Sequence, residues 1–229
     1  MLRMKKKTKS LVFSMFLQCT FCGFSQNVPF SPSNLTPYGV TIKTEVFKGK
    51  QSVRLEQAKA TDSNQKYTFA RLNNLDFHNG TIELSIAGEL NKNPVEGARG
   101  FVGIAFRVKE DTSKYEIFYI RPTNGRAEDQ VRRNHATQYI SYPNFPWQKL
   151  RKEFPEKYEA YADLQAGEWT KIKIEVEDQR AKLYVNGASQ PTLIVNDLKQ
   201  GKDLRGSIGL WLDISTVAHF TGLKVTKKD

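Results

Sequence analysis

The sequence predicts an all-β protein, a two-sheet antiparallel sandwich, on three observations. Apolar and polar residues alternate with a period of two in ten or more short stretches. That period puts one set of side chains on a buried face and the other on a solvated one. Turn-forming pairs such as Gly49-Lys50, Asn79-Gly80 and Asn186-Gly187 separate the stretches, and helical spacing occurs in one place only.

In chain order, residues 1–25 come first. Arg3, Lys5, Lys6, Lys7 and Lys9 precede the apolar run Leu11 to Leu17, and Gly23 and Ser25 are the small residues before Gln26. This is the order of a secretory signal, and the apolar run is shorter than the roughly 20 residues a membrane helix needs. The mature chain is expected to be secreted or periplasmic, without a transmembrane segment. Cys19 and Cys22 raise lipid anchoring as an alternative, although neither follows the small residues such a cysteine normally has. Removing residues 1–25 takes away both cysteines, all three methionines and five positive charges, so the net charge falls from +11 to +6. Disulfides, a thiol nucleophile and cysteine-held metals are then excluded from the mature chain. The mild basic balance suits an acidic glycan better than nucleic acid, which calls for a denser basic stripe.

A lead-in segment, 26–39, precedes a single domain over 40–229. Strands are predicted at about 40–48, 51–58, 66–72, 80–88, 100–108 and 114–121, and after a long insertion at 169–177, 181–185, 191–195, 206–213 and 216–226. The clearest is Trp169 to Glu177, with Ile172, Ile174 and Val176 inward and Lys171, Lys173 and Glu175 outward. Asn186-Gly187 tolerates the positive φ of a tight hairpin. Between them lies the insertion 122–166, dense in polar and aromatic residues. Connections this long are usually functional or disordered, and the aromatics argue against disorder. Within it Leu150, Phe154, Tyr158 and Tyr161 have helical spacing, Pro146 suits a first helical position, and Pro155 must break the helix.

Six segments occur in a characteristic order: Gly100-Phe101-Val102-Gly103-Ile104-Ala105-Phe106-Arg107, Tyr115-Glu116-Ile117, Gly167-Glu168-Trp169-Thr170-Lys171-Ile172, Leu183-Tyr184-Val185-Asn186-Gly187, Gly206-Ser207-Ile208-Gly209-Leu210 and Phe220-Thr221-Gly222-Leu223-Lys224-Val225. Over roughly 40–226 the chain resembles the concanavalin A-like jelly-roll superfamily, nearest in pattern to its laminin-G-like and 3-keto-disaccharide hydrolase-like domains. The resemblance implies a jelly-roll sandwich whose ligand lies across the concave sheet or its rim loops. The chain departs from it in the basic insertion opened by Arg121, in Trp211-Leu212-Asp213 on the last core strand, and in lacking the Glu-x-Asp-x-x-Glu run of jelly-roll β-glucanases.

If Val102, Ile104 and Phe106 face the core, alternation puts Gly103, Ala105 and Arg107 on the opposite face, joined there by Trp211 and Asp213. Small residues beside them would admit a sugar ring, or the face would be a second apolar layer under the insertion. The candidate binding residues are Arg107, Tyr119, Arg121, Asn124, Arg126, Asp129, Gln130, Arg132, Arg133, Asn134, Gln138, Tyr142, Trp147, Trp211 and Asp213. Arginine forks suit carboxylate or sulfate groups. The alternative is that these arginines tie the insertion to Glu128, Asp129, Glu153 and Glu156. His135 is the leading acid/base candidate, because its pKa lies near neutrality, with Tyr139 or Tyr142 sharing the role. His78 reads as a turn residue and His219 as a structural histidine.

No zinc spacing, phosphate-cradling glycine loop or Gly-x-Ser-x-Gly elbow occurs. No cofactor is expected, although a structural calcium ion at Asp197 or Asp203 stays open. The leading expectation is a secreted carbohydrate-recognising protein of glycan utilisation, with an acidic or oxidised sugar or acidic polysaccharide as ligand. One alternative is a glycoside-cleaving hydrolase or lyase using His135 or a tyrosine. The other is a laminin-G-like protein-binding module with an apolar patch at Phe145, Pro146 and Trp147.

Overall fold

A computed structural model describes residues 25–27, 31–58 and 68–228. Most of the expected signal segment, with Cys19 and Cys22, lies outside the described residues, as do positions 66 and 67 of one expected strand. The strands are β1 (Ser25–Asn27), β2 (Leu35–Tyr38), β3 (Val40–Phe47), β4 (Lys50–Gln57), β5 (Phe69–Leu72), β6 (Asn79–Leu90) and β7 (Val102–Val108). They continue as β8 (Tyr115–Ile120), β9 (Thr137–Tyr142), β10 (Glu159–Ala160), β11 (Thr170–Glu177), β12 (Arg180–Val185), β13 (Leu193–Val195), β14 (Ser207–Leu212) and β15 (Thr216–Lys228). Two short helices, α1 (Gln130–Asn134) and α2 (Trp147–Glu153), flank β9. No described helix is long and apolar enough to cross a membrane.

All pairings are antiparallel and form two sheets. The first has the order β13-β12-β11-β6-β15-β4-β3, with β1 alongside the second half of β15. The second has the order β10-β9-β8-β7-β14-β5-β2. Between them lies the main core: Val53, Leu55, Ile82, Ile174 and Phe220 from the first sheet meet Ile104, Phe106, Phe118, Leu210 and Leu212 from the second. Burying each such side chain stabilises the fold by about 1.5–3 kcal/mol. The expected two-sheet jelly-roll sandwich is therefore the observed architecture.

Several local expectations change. The insertion is not a structureless loop, because it supplies β9, a full strand against β8, and the edge strand β10. α2 ends at Glu153, before Pro155, with Pro146 as its N-cap residue. Asn186 and Gly187 do take positive φ, but they open a longer loop to β13 rather than a two-residue hairpin. Asn79-Gly80 opens β6 rather than forming a turn before it, and a Cβ on Gly80 would come within 2.0 Å of the Thr226 carbonyl oxygen.

Arg107 departs furthest from its expected face. Between Gly209 and Ser207 on β14 the partner strand advances from Ala105 to Val108, one residue further than simple pairing allows. This bulge, with Arg107 at φ 53°, resets the alternation. Phe106 stays in the inter-sheet core and Val108 moves to the outer cluster. Arg107 is fully buried and does not share the face of Trp211 as a ligand group. Its guanidinium donates to the carbonyls of His78 (2.8 Å), Asp178 (2.9 Å) and Gly201 (3.2 Å) and to Asn79 Oδ1 (3.0 Å). It thereby ties the turn after β11 and the loop before β14 to the start of β6. Losing the donor strands several acceptors, each worth about 1–3 kcal/mol when buried. Arg107→Met is expected to lower stability by about 3 kcal/mol in urea unfolding, and a loss below about 1 kcal/mol would show that water replaces the guanidinium.

Candidate functional site

The outer face of the second sheet carries several of the candidate residues, Tyr119, Gln138 and Trp211 among them. Pairing aligns one rung across all seven of its strands: Tyr38, Phe69, Trp211, Gly103, Tyr119, Gln138 and Glu159. The rung is aromatic at the β2 side and polar at the β10 side. Gly103 sits between Trp211 and Tyr119, whose rings approach to 5.0 Å. A Cβ there would meet the Phe118 carbonyl oxygen at 2.3 Å and the Tyr119 Cβ at 2.5 Å. The small residue expected to admit a sugar ring therefore makes room for the protein's own aromatics. Phe69, Ala105, Val108, Tyr115, Ile117, Tyr119 and Trp211 form a second apolar cluster on this face. Tyr142 stacks on Tyr115 at 4.8 Å.

At the polar end Arg121 continues the outward alternation of Tyr115, Ile117 and Tyr119 just past β8. It is 4% exposed. Its Nη1 donates to the His135 carbonyl (2.8 Å) and Glu159 Oε1 (3.2 Å), and its Nη2 to Tyr119 Oη (2.8 Å) and Gln138 Oε1 (2.9 Å). Arg151 from α2 donates twice to Glu159, through Nε at 2.8 Å and through Nη2. Trp147, half-buried at the start of α2, lies over both guanidinium groups, with its centroid 6.0 Å from Arg121 and 4.6 Å from Arg151. Phe101 stands 5.3 Å from Arg121. A buried charge needs this degree of pairing to be tolerated, and flanking aromatic rings add cation–π attraction.

His135, at the end of α1, places Nε2 3.6 Å from Glu159 Oε2. Burial lowers its pKa from the ordinary 6.5, the Glu159 carboxylate pulls it back up, and Arg151 and Arg121 push it down. Asp213, just past β14, has its carboxyl raised by burial, against the Ile214 amide and the charge of Arg121. The rim of the site thus holds a neutral imidazole and a carboxyl that keeps its proton to higher pH than usual.

The other candidates separate. Tyr139 points the opposite way from Gln138, into the inter-sheet core, where its hydroxyl donates to Glu116 Oε2 (2.7 Å) and it is fully buried. Burial first, then the Glu116 charge, raise its pKa well above the ordinary value, so it is not placed for acid/base work. Asn124 is buried and donates to the His135 carbonyl (3.2 Å). Arg126 pairs with Asp163 (2.8 Å), and Arg133 lies over Tyr161 at 5.2 Å. Asp129 caps α1 through the Arg132 amide, and Gln130 donates to Asn134. Arg121 and Arg126 are thus tied down by Glu159 and Asp163, and Arg133 by Tyr161, rather than by Glu128, Asp129, Glu153 or Glu156. Arg132 leaves a buried Nε unpaired. Asp197, a calcium candidate, places Oδ2 against Lys157 (2.9 Å), Lys199 (2.9 Å) and the Tyr158 hydroxyl (2.7 Å). No group of three or more possible metal ligands occurs among the described residues.

Glu159 and Arg151 are the residues that sequence reasoning missed. Eight positions apart across a break after α2, they share no helical or strand period, and no signal in the chain links them.

Glu159→Gln removes the carboxylate that favours the imidazolium of His135, so its pKa, already below 6.5, is expected to fall further in an NMR titration. A rise would contradict the geometry. Because the folded value is depressed, this histidine contributes stability above about pH 6.5 that is lost as pH falls through its folded pKa.

No family model and no curated protein matches the chain. Solved structures do. A carbohydrate binding module, CBM66, from Bacillus subtilis superposes with a TM-score of 0.57 at 14% identity, covering 84% of this chain and 95% of that one. A protein of unknown function with a galectin-like fold from Bacillus subtilis gives 0.53 at 12% identity, over 89% and 94%. A β-1,3-1,4-glucanase (lichenase) from a mouse hindgut metagenome gives 0.52 at 12% identity, over 90% and 99%. With these likenesses and the two-sheet topology, the fold is a concanavalin A-like jelly roll.

Proposed function

We propose that this protein binds carbohydrate at the rim of the second sheet's outer face, between Phe101, Trp147 and Asp213 and above Arg121. The observation that carries the reading is the juxtaposition of half-exposed aromatic rings with a fixed set of polar groups at one end of an otherwise apolar face. Sugar rings present C–H faces to aromatics and hydroxyls to such groups, the mixture that ligand sites use. The carbohydrate binding module and the glucanase that share the fold support the ligand class, which is carried over as analogy. Export through the leader at 1–25 belongs to the same proposal, since polymeric glycans are met outside the cell.

Recognition through hydroxyls and ring faces fits better than recognition of an acidic or oxidised sugar by the arginines. All four Nη hydrogens of Arg121 have partners within the protein, and Arg151 and Arg126 are paired with carboxylates.

A second reading, glycoside cleavage, draws on Asp213 and His135, a carboxyl with raised pKa and a neutral imidazole on the same rim. It predicts products of changed mass after incubation with a glycan panel, and their loss in Asp213→Asn. An unchanged panel leaves the binding module.

Trp147→Ala is expected to weaken binding of the best-retained glycan about tenfold, equivalent to about 1.4 kcal/mol, with a fall in melting temperature, read separately, from its lost contacts with Arg121 and Arg151. Undiminished affinity, or a preference for uronate-bearing over neutral glycans, would overturn the proposed contacts.

A further inference from the structure

The outer face of the first sheet holds an open groove of about 880 Å³ that the reading above does not use. Glu45, Phe47, Arg54, Glu89, Asn91 and His219 are among the residues that line it. β15 places His219 opposite Arg54 of β4 and Ala87 of β6. Its neighbours Ala218 and Phe220 point into the inter-sheet core, so the imidazole points outward.

The imidazole is only 2% exposed. Its Nε2 lies 2.6 Å from Glu45 Oε1, and the Phe47 ring stacks on it at 3.8 Å with 9° between the planes. Trp169 in turn meets Phe47 edge-on at 5.4 Å. The Glu45 carboxylate can only accept, so the ring hydrogen sits on Nε2 and the lone pair on Nδ1. That Nδ1 is buried and has no hydrogen-bond partner. Burial lowers the pKa of the ring from the ordinary 6.5, against the pull of Glu45, and so favours the neutral form near pH 7. Unpaired buried acceptors are rare in native proteins and call for an explanation. Here the atom belongs to a residue lining an open groove, and since it has no exposed surface of its own, a ligand hydroxyl completes it only when the side chains packed over it shift aside.

We propose that this groove is a second binding site, for a neutral saccharide, one of whose hydroxyls donates to His219 Nδ1. The ligand class rests on the carbohydrate reading, but the site does not. Arg54 pairs with both Glu45 and Glu56, and Glu89 and Lys92 also line the groove, so charges of both signs are present and hydroxyls can find donors and acceptors without the ligand carrying a charge. Asn91 and Glu89 supply donors and acceptors for further hydroxyls, and Phe47 supplies an aromatic wall.

The test is NMR of the full chain with labelled tryptophan and histidine, titrated separately with cello-, laminari- and xylo-oligosaccharides. The chain has three tryptophans. Trp169 reports on the groove through Phe47, whereas Trp147 and Trp211 report on the other sheet. The expected result is a shift of the Trp169 indole and His219 ring signals for at least one sugar. Phe47→Ala should weaken that response about tenfold while leaving Trp147 and Trp211 unaffected. Glu89→Gln provides the same comparison if Phe47→Ala does not fold. A sugar that moves Trp147 and Trp211 but neither Trp169 nor His219 overturns the groove and leaves the first site standing. One that moves only Trp169 and His219 supports the groove and removes the first site. No shift anywhere overturns both.

Discussion

A guanidinium buried beside an apolar cluster must find an acceptor for its hydrogens or destabilise the fold by several kcal/mol. Arg121 meets that requirement with groups from several separate stretches of chain: Tyr119 on β8, the His135 carbonyl before β9, Gln138 on β9 and Glu159 on β10. Satisfying one charge therefore fixes how the insertion closes on the sheet. Glu159, held there, draws in Arg151, and Arg151 with Arg121 orients Trp147. The rim proposed to meet ligand is the outermost layer of that arrangement.

This arrangement also gives the two faces of β9 different work. Gln138 faces outward to Arg121 while its amide nitrogen donates to the carbonyls of Tyr139 (2.9 Å) and Tyr158 (3.2 Å). Tyr139, one position on, faces inward to Glu116, whose pKa burial raises. A strand with both faces buried and polar groups on each has no apolar/polar alternation. Thr137 to Tyr142 accordingly reads in sequence as part of a polar insertion rather than as a sheet strand. β2 was hidden for a different reason: Pro37 weakens its strand signature, which only an edge position tolerates, and β2 is at the edge. The strands that were legible, such as Thr170 to Glu177, bury one face and expose the other.

The site was legible as a region but not as a constellation. Arginine density around residues 121–133 pointed to the end of the second sheet where the proposed rim lies, yet the same density is what a long insertion needs to anchor itself. Nothing in a linear sequence distinguishes Arg121, whose partners lie up to 38 positions away, from an arginine free to hold a ligand. Arg107 shows the same limit through backbone geometry. One extra residue in β7 turned it from the expected ligand-facing side into a structural tie between the sheets. The bulge follows from pairing with β14, about a hundred residues downstream, and leaves no local signature.

Ligand binding at this rim is tested most directly by a crystal structure of the protein with its best-retained neutral oligosaccharide. Sugar is expected to sit against Trp147 and Phe101 with hydroxyls directed at Asp213 and the His135 edge, and with the Arg121–Glu159 pairing intact. A sugar that displaces Glu159 to bind Arg121 directly, or a second-sheet rim left empty while sugar binds elsewhere, would contradict this expectation.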